Sequence, residues 1–347
     1  MVKFDASKRD EALLFKFRAI AVTAVFMTVI SFIGFGLGTA QACGKGFPQR
    51  DHNCSRTSLA AFRACHSEVK DDYWIAIGNC TNVSDPAARK ECQEAAREEL
   101  RDAGELCKEQ FEARLAVCEE LGEEPYDPDL FPDDFIDPED ITNATANTYF
   151  PLVAGTQWVY RGETDEGIEI ITVTVTDEIK EIEYPDESGQ IFRCAAVRDV
   201  VTIDGEVHED TVDWYAQDRD GNVWYFGEIS KNFEDGELAD LEGSWISGKD
   251  YAKPGIIMMA NPQAGDYYRQ EFALGDAEDM AAVVNLGEES VSVPFGNFSD
   301  DVLKTGEFTP IDPDVLEFKF YAPGIGAVLE LNPDTNERVE LIEMTKP

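Results

Sequence analysis

The 347-residue chain carries 70 acidic against 29 basic residues, a formal charge of -41, with 43% hydrophobic and 11% aromatic residues. That hydrophobic content supports a packed core, and the length leaves room for two ordinary domains. A surface this negative repels the phosphates of nucleic acids and anionic lipids, which sets aside DNA, RNA and acidic-membrane binding; a solvated acidic surface or carboxylate clusters holding a divalent cation remain.

The first element is an export signal, residues 1–42. Lys3, Lys8, Arg9, Lys16 and Arg18 precede a stretch from Ala19 to Gly38 without a charged residue, and Ala40-Gln41-Ala42 offers small residues where a signal peptidase reads. Cleavage after Ala42 is expected; an uncleaved anchor is the competing reading, because the uncharged stretch is long enough to span a bilayer. Cys43 would then be the first mature residue, where bacterial lipoproteins attach lipid, although Ala40 stands where their signal has leucine.

The second element, residues 43–122, is predicted to be a helical hairpin. Six of the eight cysteines, Cys54, Cys65, Cys80, Cys92, Cys107 and Cys118, are separated by gaps of 11, 15, 12, 15 and 11, the same in both directions. Eleven residues are about three helical turns and fifteen about four, so the cysteines of each half share one face at matching heights. Folding the chain at its middle joins Cys54 to Cys118, Cys65 to Cys107 and Cys80 to Cys92. Asp85 and Pro86 suit the N-cap and first turn of a second helix, and Gly122 suits its end. Ala61, Val69, Ala76, Ala96, Ala103 and Phe111 line the seam, where small residues permit the close approach a disulfide demands. Metal binding is disfavoured, since zinc sites use closely spaced cysteine pairs. Three disulfides imply an oxidising compartment, periplasmic, outer-membrane-associated or extracellular. Of the two cysteines left over, Cys43 either carries a lipid or pairs with Cys194; in the former case Cys194 is a buried thiol on a strand.

Residues 123–146 read as an acidic, proline-rich linker whose aromatic residues dock on a neighbouring domain. Asp127, Asp129, Asp133 and Asp134 in it are weak calcium candidates, because the spacing lacks the glycine of an EF-hand loop.

Residues 147–347 form the third element, an antiparallel β domain of about ten to twelve strands joined by short turns, curved or half-closed into a barrel. The runs Thr156–Tyr160, Glu169–Val175, Ile191–Ile203, Thr211–Gln217, Val223–Phe226, Tyr267–Phe272, Val283–Leu286, Val291–Val293, Val315–Tyr321, Ala327–Leu331 and Val339–Ile342 carry strand patterning. Asp204-Gly205 and Asp218-Arg-Asp220-Gly-Asn222 read as hairpin turns. The fold class is thus α+β: a disulfide-stapled helical hairpin followed by a β-meander.

Asn147-Thr-Tyr-Phe-Pro-Leu-Val-Ala-Gly-Thr-Gln-Trp-Val-Tyr160, with Asp213-Trp-Tyr-Ala-Gln-Asp218 and Gly221-Asn-Val-Trp-Tyr-Phe-Gly227, resembles a family of bacterial secreted proteins of no established activity, in which the hairpin accompanies the β domain. The opening segment also resembles the start of pilus-associated and outer-membrane lipoprotein β domains. A looser likeness is to half-barrel lipoprotein carriers of acyl chains, an analogy of fold. The resemblance implies an envelope protein and brings no site residues with it.

With His52, His66 and His208 as the whole histidine complement, and no nucleophile elbow or phosphate loop, a Ser-His-Asp hydrolase and a multi-histidine metal site are disfavoured. Glu206, His208 and Asp210 on one strand face are a weak metal candidate, and a solvated face is their simpler reading. Around Tyr268-Arg269-Gln270-Glu271 and Glu278-Asp279, an internal arginine–carboxylate pair is expected for Arg269. The leading reading is a non-enzymatic envelope protein without a resident cofactor. Its β domain binds an apolar ligand or a protein partner, and its hairpin is a spacer or docking arm. Membrane contact is confined to the signal or a lipid. The alternatives are a carboxylate-based hydrolase, with Asp213 or Glu278 as candidates, and a calcium-dependent adhesion or assembly protein.

Overall fold

The computed structural model describes residues 52–164 and 166–347. The expected signal segment and Cys43 lie outside the described residues. Two helices, Asn53–Thr81 and Pro86–Leu121, run antiparallel from a short turn. Asp85 caps the second helix by accepting a 2.8 Å bond from the Ala88 N–H, Pro86 fills its first turn, and Gly122 ends it at φ 90°. No side chain of His52 caps the first helix. Glu123, just beyond the second, does so instead: its carbonyl accepts from the Asn53 N–H at 3.0 Å and its carboxylate from the Ser55 N–H at 3.0 Å and the Ser55 hydroxyl. The hairpin is thereby closed at its base by its own exit residue.

Disulfides join Cys54 to Cys118, Cys65 to Cys107 and Cys80 to Cys92, with Cα atoms 5.7, 5.8 and 5.5 Å apart. These are the pairs selected by the palindromic spacing. Little else holds the hairpin. Its buried residues are the half-cystines Cys80, Cys107 and Cys118 with Ser58, Ala96, Arg114 and Val117, and several of these belong to the base. Phe62 and Phe111 add one ring contact at 5.0 Å. From Gln110, whose amide reaches the Ile311 carbonyl at 2.7 Å, the second helix extends back to Pro86, an arm of roughly 36 Å. No helix among the described residues is long and apolar enough to cross a membrane.

The connector lies along the β domain. Phe135 is buried, its ring 5.2 Å from Phe192 and 5.9 Å from Phe226, and the Ile136 N–H donates to the Gln217 carbonyl at 2.9 Å. Tyr126 donates to the Pro254 carbonyl at 2.8 Å, while Asp137 forms an ion pair with Arg193.

β1 (Gln157–Thr164), β2 (Gly167–Glu183), β3 (Ile191–Ile203), β4 (Glu206–Gln217) and β5 (Val223–Ile229) form a meander. Short strands β6 (Asn232–Glu234), β7 (Glu237–Asp240) and β8 (Trp245–Ile246) follow. Next come β9 (Lys253–Met258), β10 (Tyr267–Arg269), β11 (Glu271–Phe272) and β12 (Met280–Leu286). The last six are β13 (Val291–Val293), β14 (Gly296–Phe298), β15 (Leu303–Phe308), β16 (Leu316–Ala322), β17 (Gly326–Leu331) and β18 (Arg338–Thr345). The strands outnumber the sequence expectation because β6, β7, β8 and β14 are two to four residues long and carry no readable alternation, the run Tyr267–Phe272 divides into β10 and β11, and β9 and β15 escape the expected pattern.

The main sheet runs β10-β12-β15-β16-β17-β18-β1-β2-β3-β4-β5-β9-β11, antiparallel throughout. Its two ends are one segment. β10 pairs with β12, and β11, one residue further along the chain, pairs with β9. Residues 267–272 therefore bridge the edges, and the sheet curls into a nearly closed barrel. Gly255 of β9 is required at this seam: a Cβ there would stand 2.4 Å from the backbone of Gln270.

Alternation along the strands builds two cores. Val175, Val197, Tyr215, Val223, Tyr225, Tyr321, Val328 and Leu329 belong to the large interior cluster. Ile182, Phe192, Cys194, Ala196, Trp214, Ala216 and Phe226, from the opposite faces of β2 to β5, form a second cluster that Phe135 covers.

Candidate ligand cavity in the barrel

The barrel interior holds a cavity of about 230 Å³. Residues 147–153, leading into β1, help to wall it. Asn147 is buried, and its side-chain oxygen accepts from the Tyr149 and Phe150 N–H groups at 2.8 and 3.0 Å, while its amide donates to the Gly221 and Met259 carbonyls. This clamp turns the chain so that Phe150, Pro151 and Leu152 line the cavity. The conspicuous Pro-Leu-x-x-Gly-x-x-Trp stretch thus has a physical task. Gly155 takes φ 87° at the turn, and Trp158 reaches inward, its indole N–H donating to the Ile325 carbonyl at 2.7 Å.

The wall is chiefly apolar, with Val173 and Val175 from β2, Val197 from β3, Ile257 from β9 and Leu329 from β17. Set into it are two polar groups of different character. On one side Lys319 of β16 lies 3.0 Å from Glu307 of β15 and 3.7 Å from Glu330 of β17. Glu307 also accepts from the Tyr321 and Thr305 hydroxyls, each at 2.9 Å. Burial pushes the Glu307 carboxyl up, but Lys319 and these hydroxyls outweigh it and hold the acid below its ordinary range. The Lys319 ammonium is stabilised in turn: burial opposes its charge, and Glu307 and Glu330 more than restore it.

On the other side are carboxyls that form no ion pair among the described residues, Lys319 acting on Asp199 only at longer range. Asp213 of β4 is buried and accepts a 2.6 Å bond from Tyr225, whose ring stacks on Tyr215 at 4.6 Å. Burial raises Asp213 to about 6 and Asp199 of β3 to about 8, with nearby acids adding to both. Glu228, cross-strand from Asp213, is likewise raised by burial and by Asp213 to about 8. Near neutrality Asp199 is therefore chiefly a neutral carboxylic acid, able to donate as well as accept a hydrogen bond. Its Oδ1 is buried and has no hydrogen-bond partner among the described residues.

The sequence candidates fall differently. Asp213 does line the cavity, but Glu278 does not. It lies outside the barrel, where Arg114 of the second helix grips it with contacts of 2.6 to 3.1 Å, both side chains almost wholly buried. Of these alternative candidates for a carboxylate-based hydrolase only Asp213 faces the cavity, and Glu278 is held in an ion pair. Arg269 corrects a second expectation. Among the described residues it forms no ion pair with a carboxylate; its hydrogen-bonded neighbour is the Met280 sulfur at 3.8 Å, and Glu278 of the same cluster pairs with Arg114.

As for the metal candidates, no group of three or more His, Cys, Asp or Glu side chains among the described residues is arranged to hold an ion. A bulge between the β3 and β4 partners makes His208 the extra residue, so Glu206, His208 and Asp210 do not share one regular face. Asp210 is held at 2.7 and 3.1 Å by Arg198, with Lys231 at 3.7 Å. In the connector, Asp127 pairs with Lys253 and Asp129 is exposed. Asp218 staples its turn through Asn222 at 2.8 Å and Trp224 at 3.0 Å. Cys194 is a fully buried thiol whose ionisation burial suppresses.

Comparison with protein-family models, with curated proteins and with solved structures gives no match. Sequence reading missed Asp199, Glu307 and Lys319. The signal for them was present as charged residues interrupting apolar runs at inward positions of β3, β15 and β16.

Proposed function

We propose that this is an exported, non-enzymatic bacterial envelope protein whose barrel takes up a small, predominantly apolar ligand. One observation carries the reading: the apolar cavity inside the barrel, whose volume of about 230 Å³ exceeds the roughly 150 Å³ that suffices to bind benzene. Its polar groups suit recognition better than catalysis. Lys319 and Glu307 satisfy each other, Asp213 is satisfied by Tyr225, and the unpartnered Asp199 oxygen is left to orient a hydroxyl or carbonyl of the ligand. The arm, with Trp74 and Ile75 exposed far from the barrel, serves as a spacer or docking arm in the periplasm or at the outer membrane. The three disulfides are consistent with an oxidising compartment of that kind.

The test is native mass spectrometry of the exported, oxidised protein, followed by titration with small apolar alcohols and ketones monitored by tryptophan fluorescence, since Trp158 lines the cavity. Saturable binding that disappears when Val197→Phe fills the cavity supports the reading. Equal binding by a folded Val197→Phe variant removes it.

A further inference from the structure

The base of the hairpin, the connector and the outer wall of the barrel enclose a second cavity, of about 520 Å³. Arg269 lines it. Its residue exposure is 9%, and among the described residues its Nε is buried without a hydrogen-bond partner and no carboxylate forms an ion pair with it. The guanidinium carbon sits 5.5 Å from the Tyr126 ring and 4.8 Å from the Phe272 ring. Both rings offer cation–π attraction, and neither can accept the fork of N–H donors at its edge.

An unpaired buried arginine is costly, and native proteins rarely keep one without a partner. The obvious partner is taken. Glu278 lines the same cavity and is held in a multidentate contact by Arg114. Lys253, also in the lining, pairs with Asp127. Glu124 is exposed at the lining and forms no ion pair with Arg269. Apart from the exposed Glu124, the other ionic groups of the lining are thus paired, and Arg269 feels Glu278 only as a charge beyond ion-pair distance that favours its ionised form. The surrounding wall includes Trp224, Ile256 and Tyr267, apolar or aromatic.

We propose that this cavity is a binding site for a small monocarboxylate with an aromatic or branched apolar body. The planar carboxylate meets the Arg269 fork, and the body lies against Trp224, Ile256 and Tyr267. Burial of Arg269 lowers the stability of its charged form, and an incoming anion reverses that effect. The site is separate from the barrel cavity and shares no lining residue with it: its wall comes from β5, β9, β10, β11, the connector and both helices. Occupancy would tie the arm, the connector and the barrel seam together.

The experiment uses the full oxidised protein, with 3-phenylpropanoate, its neutral amide and inorganic phosphate as probes. Thermal unfolding and tryptophan fluorescence report binding. The carboxylate is expected to raise the melting temperature saturably, and the amide to bind weaker by roughly tenfold or more, as loss of a charged hydrogen bond requires. Arg269→Met should abolish the carboxylate response while raising the ligand-free melting temperature. Val197→Phe, which fills the barrel, should leave the response intact. No saturable response to the carboxylate, or an amide that binds as well, overturns the proposal without recourse to any variant. Phosphate binding as tightly as the carboxylate overturns the ligand class. A response lost in Val197→Phe and kept in Arg269→Met assigns the binding to the barrel and overturns the site.

Discussion

Removal of the tip disulfide, Cys80→Ser with Cys92→Ser, tests whether the arm is held by its staples or by packing. The tip bridge closes a loop of 12 residues, which restricts the unfolded chain by about 3 kcal/mol. With the tip closed, the middle bridge acts on about 30 residues in place of its 42, and the outer bridge on about 22 in place of its 64. Together the three supply roughly 10 kcal/mol. Against this, little of the arm beyond Gln110 is buried apart from half-cystines and Ala96. The double variant should therefore lose about 3 kcal/mol locally, and amides between Cys65 and Cys107 should exchange about a hundredfold faster. Amides of β1 to β5 should be unaffected. Hydrogen exchange read by mass spectrometry measures both regions in one sample. Unchanged protection of the tip would show that apolar packing, not the bridge, maintains the arm. Loss of protection throughout the barrel would show that the arm and barrel unfold as one unit.

Other outcomes follow from the same structure. Glu278→Gln leaves Arg114 buried without its counter-charge and should cost about 3–5 kcal/mol in chemical denaturation, whereas Arg114→Met with Glu278→Met should restore much of that loss. Gly255→Ala forces a Cβ into the Gln270 backbone at the seam and should cost about 1–3 kcal/mol, with faster exchange in β9 and β10. Because burial raises Asp199 to about 8, Glu228 to about 8 and Asp213 to about 6, the folded state binds more protons than the unfolded chain above pH 4. Their contribution is greatest near pH 4 and is lost as pH rises toward 8, so stability should fall between pH 5 and 8. Asp199→Asn should flatten that decline; an unaltered slope would exclude Asp199 as its source.

The hairpin was legible because its determinants are positional. Matching gaps between cysteines translate directly into heights on two helices, and Asp85, Pro86 and Gly122 mark ends by local chemistry that needs no partner. The capping of the first helix was not legible, since Glu123 acts from 70 residues after Asn53 and only the closed hairpin brings it there. β15 was missed for a related reason. Its inward positions include Thr305 and Glu307, polar groups that contradict the apolar-inward pattern until Lys319 and Tyr321 on β16 are seen to satisfy them.

The same logic explains why the sites escaped sequence reading. A charged residue in a strand is normally assigned to the solvent face, and the composition of this chain makes that assignment almost automatic. What distinguishes Asp199 and Arg269 is not their type but the failure of their surroundings to neutralise them. Asp199 faces Asp213 and Glu209 with Lys319 committed to Glu307, and Arg269 faces Glu278 already claimed by Arg114. Both facts are three-body statements, in which the nearest opposite charge exists but is engaged elsewhere. Pairwise sequence proximity points the other way, joining Arg269 to Glu278 across a short loop. Only the arrival of a helix from the disulfide-stapled hairpin diverts that carboxylate to Arg114, so the element that reads most clearly in the sequence sets the surroundings of Arg269 that the sequence conceals.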